Sequence, residues 1–107
     1  VNILVVDDSP LIVKLIEDML KRKGVKVDKA YSAEEALEKI KEKVYDVYLI
    51  DYDLPRINGV DIARKAREMN KEGKVIIITA NVDFKTSEFS VIYKPFDLES
   101  FYTNVFE

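Results

Sequence analysis

The chain has 107 residues, with 17 Lys and Arg against 20 Asp and Glu, a formal net charge of −3, and 48% hydrophobic against 35% charged side chains. That is one small domain with enough apolar side chains for a core and a densely ionised surface, and disorder, collagen and coiled coil all fit it poorly. Histidine and cysteine are both absent, which excludes Ser/His and Cys/His nucleophiles, His-ligated zinc, disulfides and phosphohistidine on this chain, and leaves carboxylates, hydroxyls and amines to do any chemistry.

Val1 to Val6 is a β-branched apolar run broken only by Asn2, the pattern of a strand buried on both faces, and it stops at Asp7-Asp8. Ser9 then reads as an N-cap and Pro10 as the first residue of a helix whose stripe is Ile12, Leu15, Ile16, Met19 and Leu20, ended by Gly24. Val25 and Val27 alternate with Lys26 and Asp28 as a short edge strand does. Ser32-Ala33-Glu34-Glu35 is a capping box, opening a second helix with Ala33, Ala36, Leu37 and Ile40 on one face. Val47 to Ile50 is a third strand that delivers Asp51 at its end. Pro55 and Asn58-Gly59 mark a loop, and Val60, Ala63, Ala66 and Met69 a third helical stripe before Gly73. The strand Lys74 to Ile78 ends in Thr79-Ala80, and a short strand, Val91 to Tyr93, runs into Lys94-Pro95-Phe96. A last helix follows, capped by Asp97, with Leu98, Phe101, Tyr102, Val105 and Phe106 as its core stripe.

Strands alternate with helices throughout, so the expected fold is a three-layer, doubly wound α/β domain with five parallel strands, right-handed crossovers and ligands at the carboxyl ends of the strands. One interval breaks the rhythm. Only positions 81 to 89 separate the fourth strand from the fifth, whereas a parallel crossover with its helix takes about 10 to 12 residues. The fourth crossover helix is therefore expected to be shortened or missing, with Val82, Phe84 and Phe89 left to cover the sheet there.

No apolar run approaches the roughly 18 residues of a membrane span, and no leader pattern opens the sequence, so a cytoplasmic chain without membrane insertion is expected. Lys21-Arg22-Lys23 reads as cations on the last turn of a helix, and no basic stripe continues it, so no direct nucleic-acid contact is expected.

Asp7, Asp8, Asp51, Thr79 and Lys94 all fall at the carboxyl ends of strands, so the sheet brings them to one rim. Crowded carboxylates repel one another and make a cation the natural relief, and an all-oxygen site suits Mg²⁺ or Mn²⁺. A carboxylate in such a site can attack a phosphoryl group whose charge the cation and Lys94 neutralise, giving an aspartyl phosphate. The Thr79 hydroxyl and N–H groups near Ala80 are placed to bond its oxygens.

These residues, with Asp51-Tyr52-Asp53-Leu54-Pro55, Asn58-Gly59, Thr79-Ala80 and Lys94-Pro95-Phe96, resemble the receiver domains of two-component response regulators, over nearly the whole chain, 1–107, as a single domain. The resemblance implies the flavodoxin-like strand order 2-1-3-4-5. It implies that Asp51 accepts a phosphoryl group from the phosphohistidine of a histidine kinase or phosphotransfer protein, in a signal transducer that promotes its own phosphorylation and dephosphorylation. It also implies that Asp8, Asp51 and the backbone carbonyl of Asp53 hold Mg²⁺, with Asp7 acting through water, that Lys94 contacts the phosphoryl group, that Thr79 moves toward it, and that Lys94-Pro95 is cis. Two features depart from the family pattern: Val91 stands where the family places an aromatic residue, with Tyr93 on the same strand face, and the fourth crossover is short. Asp53 and Asn81 occupy positions at which the family tunes phosphoryl lifetime.

Two other readings compete. A binding module of the same fold that makes no use of phosphate fits the two departures, but the retention of all five polar residues opposes it. Ile50-Asp51-Tyr52-Asp53 also resembles the nucleophile motif of haloacid-dehalogenase-type phosphatases, in which the acidic pair follows the lysine; here Asp7-Asp8 precedes it. The last helix stops at Glu107, with no DNA-binding segment in the sequence after it, as expected of a stand-alone protein or of a piece of a longer regulator.

Overall fold

The apolar runs that lack polar alternation become the interior of a sheet. The computed structural model describes all residues, 1–107, as β1 (Asn2–Val6), α1 (Pro10–Lys21), β2 (Lys26–Ala30), α2 (Ala33–Glu42), β3 (Val47–Asp51), α3 (Gly59–Met69), β4 (Lys74–Thr79), β5 (Ser90–Tyr93) and α4 (Leu98–Phe106). All pairings are parallel and the order is β2-β1-β3-β4-β5, as the resemblance implies.

Strand alternation divides the core in two. Leu4, Val6, Tyr48, Ile50, Val75 and Ile77 face α2 and α3. Ile3, Val5, Val47, Leu49, Ile76, Ile78 and Ile92 face the layer made by α1 and α4. The helix starts are those expected: Ser9 Oγ accepts from the Ile12 N–H and Pro10 is the first helical residue, Ser32 Oγ accepts from Glu35, and Asp97 accepts from Ser100. The Glu35 carboxylate reaches back to the N–H of Tyr31, one residue before the cap. Gly24 follows α1 at φ +73°, a conformation that favours glycine.

Two stripes are rotated from expectation and a third is narrower. On α1 the buried residues are Val13, Ile16, Glu17 and Leu20, while Leu15 is 52% exposed. The arc turns because Glu17 faces inward, where Lys21 and Lys29 both lie 3.2 Å from its Oε2; a stripe drawn through apolar residues alone passes over that ion pair. On α3, Ile62 is buried and Met69 is exposed, and on α4 only Phe101 and Val105 are fully buried, with Leu98 and Phe106 at the margin of the sheet.

No helix forms between Ala80 and Phe89, so the fourth crossover helix is missing. Phe89 is buried and Phe84 packs on the α2/α3 side of the core, but Val82 is 62% exposed and covers nothing. Its reason is local: the Asn81 side chain and carbonyl accept from Asp83 and Phe84 in a tight turn, which carries Val82 outward. No helix of the structure is long and apolar enough to cross a membrane.

Candidate functional site

β1, β3 and β4 end on the same rim because they are parallel and in register, with Val6 opposite Ile50 and Asp51 opposite Ile78. β1 therefore delivers Asp7 and Asp8 beside Asp51. One oxygen from each of these three carboxylates lies within 4.8 Å of the others, with Asp7 and Asp51 buried and Asp8 exposed.

Asp7 is fixed from three sides. Its N–H donates to the Ala30 carbonyl (3.1 Å), its Oδ1 accepts from the Ser9 N–H (2.9 Å), and its Oδ2 lies 3.4 Å from Lys94 Nζ. Lys94 is brought in from the far edge of the sheet, its N–H donating to the Thr79 carbonyl at 2.8 Å. Its Nζ also stands 3.5 Å from Asp51 Oδ1, so one ammonium serves two buried carboxylates. The bond from Lys94 to Pro95 is cis, as the resemblance implies.

One cation among three carboxylates leaves charge uncompensated. Burial pushes the Asp51 carboxyl up to about 6 and the neighbouring Asp7 adds to the rise, while Lys94 and the Asp53 backbone N–H pull the other way. A divalent cation held by oxygen donors suits such a rim.

The structure thus gathers Asp7, Asp8, Asp51 and Lys94. Thr79, fully buried at the end of β4, accepts at its Oγ1 from the Asn81 N–H (3.0 Å), and Asp53 lies in the loop after β3 with its side chain exposed.

Sequence reasoning took Gly59 only as a loop mark. Asn58 caps α3, its Oδ1 accepting from Val60, and Gly59 donates to the Tyr52 carbonyl at 3.1 Å. A Cβ at Gly59 would overlap the Asp51 carbonyl oxygen and lie 2.9 Å from the Tyr52 Cα, so this glycine lets α3 approach the end of β3. The Asn-Gly pair was the available signal, read for its turn and not for its packing. Also unforeseen is a groove of about 390 Å³ beside the site, lined by Ile12, Leu15, Ala80, Lys94, Pro95 and Phe96. Leu15 lines it because the rotation of α1 leaves that residue outside the core.

The family model described as the response regulator receiver domain matches residues 3–105. The chain belongs to that family. As a receiver domain it is 36% identical over 107 residues to the response regulator ArlR of Staphylococcus saprophyticus, an alignment covering 92% of this chain and 47% of ArlR. It is 37% identical over 82 residues to the transcriptional regulatory protein CutR of Streptomyces coelicolor, covering 77% of this chain and 38% of CutR. The chain therefore spans about half the length of these relatives, or less.

Among solved structures, the receiver domain superposes on the response regulator TrrA of Thermotoga maritima in complex with Mg²⁺ and beryllofluoride, with a TM-score of 0.87 and 31% identity over 95% of this chain and 93% of that one. It also matches the receiver domain of a sensor histidine kinase from Pseudomonas aeruginosa, with magnesium coordinated in its active-site cleft (TM-score 0.83, 26% identity, 95% and 91% covered). Within this family the likeness of Ile50–Asp53 to a phosphatase motif is a local one.

Proposed function

We propose that residues 1–107 act as one phosphoaccepting switch, in which Asp51 takes a phosphoryl group from the phosphohistidine of a histidine kinase or phosphotransfer protein. The observation that carries this is the single Lys94 ammonium reaching both Asp7 and Asp51 beside a third carboxylate. An Asp51 oxygen attacks phosphorus, the P–O bond forms as the P–N bond to the donor imidazole breaks, and the imidazole leaves with the bonding pair and takes up a proton. Lys94 holds positive charge at Asp51 Oδ1, where the transferred oxygens arrive, and the Thr79 hydroxyl turns to donate to one of them.

The donor set fits Mg²⁺, or Mn²⁺, because it is all oxygen and short of positive charge; Asp8, Asp51 and the Asp53 carbonyl would hold it, with Asp7 through water. When bound, such an ion neutralises phosphoryl and carboxylate charge during transfer. The groove of Ile12, Leu15, Pro95 and Phe96 next to Lys94 offers the donor an apolar surface. Asp53 and Asn81 set how long the phosphoryl group survives, by admitting or excluding the attacking water; phosphoryl loss from Asp53→Asn at the parent rate would remove the Asp53 part of this reading.

Intact mass after incubation with acetyl phosphate, with and without Mg²⁺, tests the proposal. A gain of one phosphoryl group that requires Mg²⁺ and vanishes in Asp51→Asn supports it. No gain in a folded protein that binds Mg²⁺ rejects it in favour of a phosphate-independent binding module.

A further inference from the structure

The loop that follows β3, residues 52–58, reverses direction at a strained residue. Ile57 donates its N–H to the Pro55 carbonyl at 2.8 Å, which closes a three-residue turn around Arg56. Arg56 stands there at φ +69°, alone among the residues other than glycine in having a positive φ. A γ-turn with that central angle is the rare, strained form, and a side chain at its centre carries a cost that glycine escapes. Such strain persists only where surrounding contacts oppose its release.

Few contacts hold this loop. Its ends are tied by backbone, with the Tyr52 N–H donating to the Ile78 carbonyl (2.9 Å) and the Gly59 N–H to the Tyr52 carbonyl (3.1 Å). Between them Leu54 is seated in the core and Ile57 packs against its margin. The one ion pair that the loop makes runs from the Arg56 guanidinium to the carboxylate of Glu34, in the first turn of α2. Only Leu54 and Pro55 separate Arg56 from Asp53, so relaxation of the turn to a negative φ pivots the peptide that carries the Asp53 carbonyl. An exposed ion pair adds little to the stability of a fold. Set against a strained backbone, it decides instead where the loop lies.

We propose that Arg56 is a positioning residue for the cation site: its pair with Glu34 holds the turn in its strained form and keeps the Asp53 carbonyl where a cation at Asp8 and Asp51 can use it. This deepens the metal reading above and rests on it. The first turn of α2, which supplies no group to the rim, thereby bears on cation affinity.

Titration calorimetry with Mg²⁺ at low ionic strength tests this on the whole chain, for the parent, Arg56→Gln, Glu34→Gln and the double variant. Removing the Arg56 charge makes the rim more negative, so charge alone predicts tighter binding. The tether predicts the opposite, a loss of about threefold, within the worth of one exposed ion pair. Charge alone also returns the double variant to the parent affinity, whereas the tether leaves it about as weak as Arg56→Gln, because the second substitution removes a contact already gone. Amide order parameters of residues 53 to 57, measured without metal, are expected to fall in Arg56→Gln from the rigid range near about 0.85 toward about 0.6. Mg²⁺ binding by Arg56→Gln or the double variant that is as tight as the parent's, or tighter, overturns the proposal and leaves the metal reading intact. Parent-like order parameters in Arg56→Gln overturn it whatever the metal does. A parent that binds no Mg²⁺ overturns the metal reading and this role with it.

Discussion

Gly59 sits so close to the carbonyl of Asp51 that a Cβ there would lie 2.9 Å from the Asp51 carbonyl carbon and overlap its oxygen. The obstacle is backbone, which has no flexible end to move aside. Gly59→Ala should thus destabilise the fold by about 1 to 3 kcal/mol, although alanine is the better helix former by roughly 1 kcal/mol. Urea denaturation measures the loss, and on the proposed function slower acetyl-phosphate labelling should accompany it, because the displaced group is the backbone of Asp51.

Asp51 is a carboxylate whose ionised form the fold tolerates poorly. Its pKa is raised from 3.8 to about 6, by burial first and Asp7 second, so the cost is present above about pH 6, shrinks between 6 and 3.8, and is absent below. Asp51→Asn should accordingly stabilise the metal-free protein by about 2 to 3 kcal/mol at pH 8 and leave it unchanged near pH 3. Saturating Mg²⁺ should narrow the difference by stabilising the parent. Denaturant midpoints across pH, with and without Mg²⁺, give the comparison.

Lys94→Gln should separate binding from transfer. Removing the ammonium that lies 3.4 and 3.5 Å from Asp7 and Asp51 makes the rim more negative, so Mg²⁺ should bind more tightly, by titration calorimetry. Labelling of Asp51 by acetyl phosphate should nevertheless slow by about a hundredfold, because the fixed charge facing the arriving oxygens is gone.

Glu17 predicts an acid limb of stability away from the site. Its carboxyl is held below the usual range by Lys21 first, with Lys29 adding to the effect against the penalty of burial. A depressed folded-state pKa gives stability that is present above the unfolded value, about 4.5, and is lost as pH falls through the folded one. Glu17→Gln should lower the thermal midpoint at pH 7 and converge with the parent near pH 3.

The strand ends were legible because the sequence writes them as apolar runs that stop on polar residues, and a parallel sheet has no choice but to bring Asp7, Asp51 and Lys94 to the same side. Helix rotation was less so. Val13 and Glu17 face inward because Lys29, on a neighbouring strand, completes an ion pair that no count of apolar spacing contains. Gly59 was seen as a turn, since its packing against Asp51 is a contact between two elements that the chain reaches from different directions. The missing helix followed from simple length, whereas the bond from Tyr93 to the Phe84 carbonyl depends on how the irregular segment drapes, which carries no periodic signal.

Lys94 meets Asp7 across 87 positions of the chain. The ammonium arrives with β5, at the edge of the sheet and near the end of the sequence, while the carboxylate it serves lies at its beginning. Until that strand has docked, a nascent or half-folded chain holds Asp7 and Asp51 without their fixed counter-charge. Docking of the fifth strand is therefore also the step that relieves the repulsion between the carboxylates of the first and third strands.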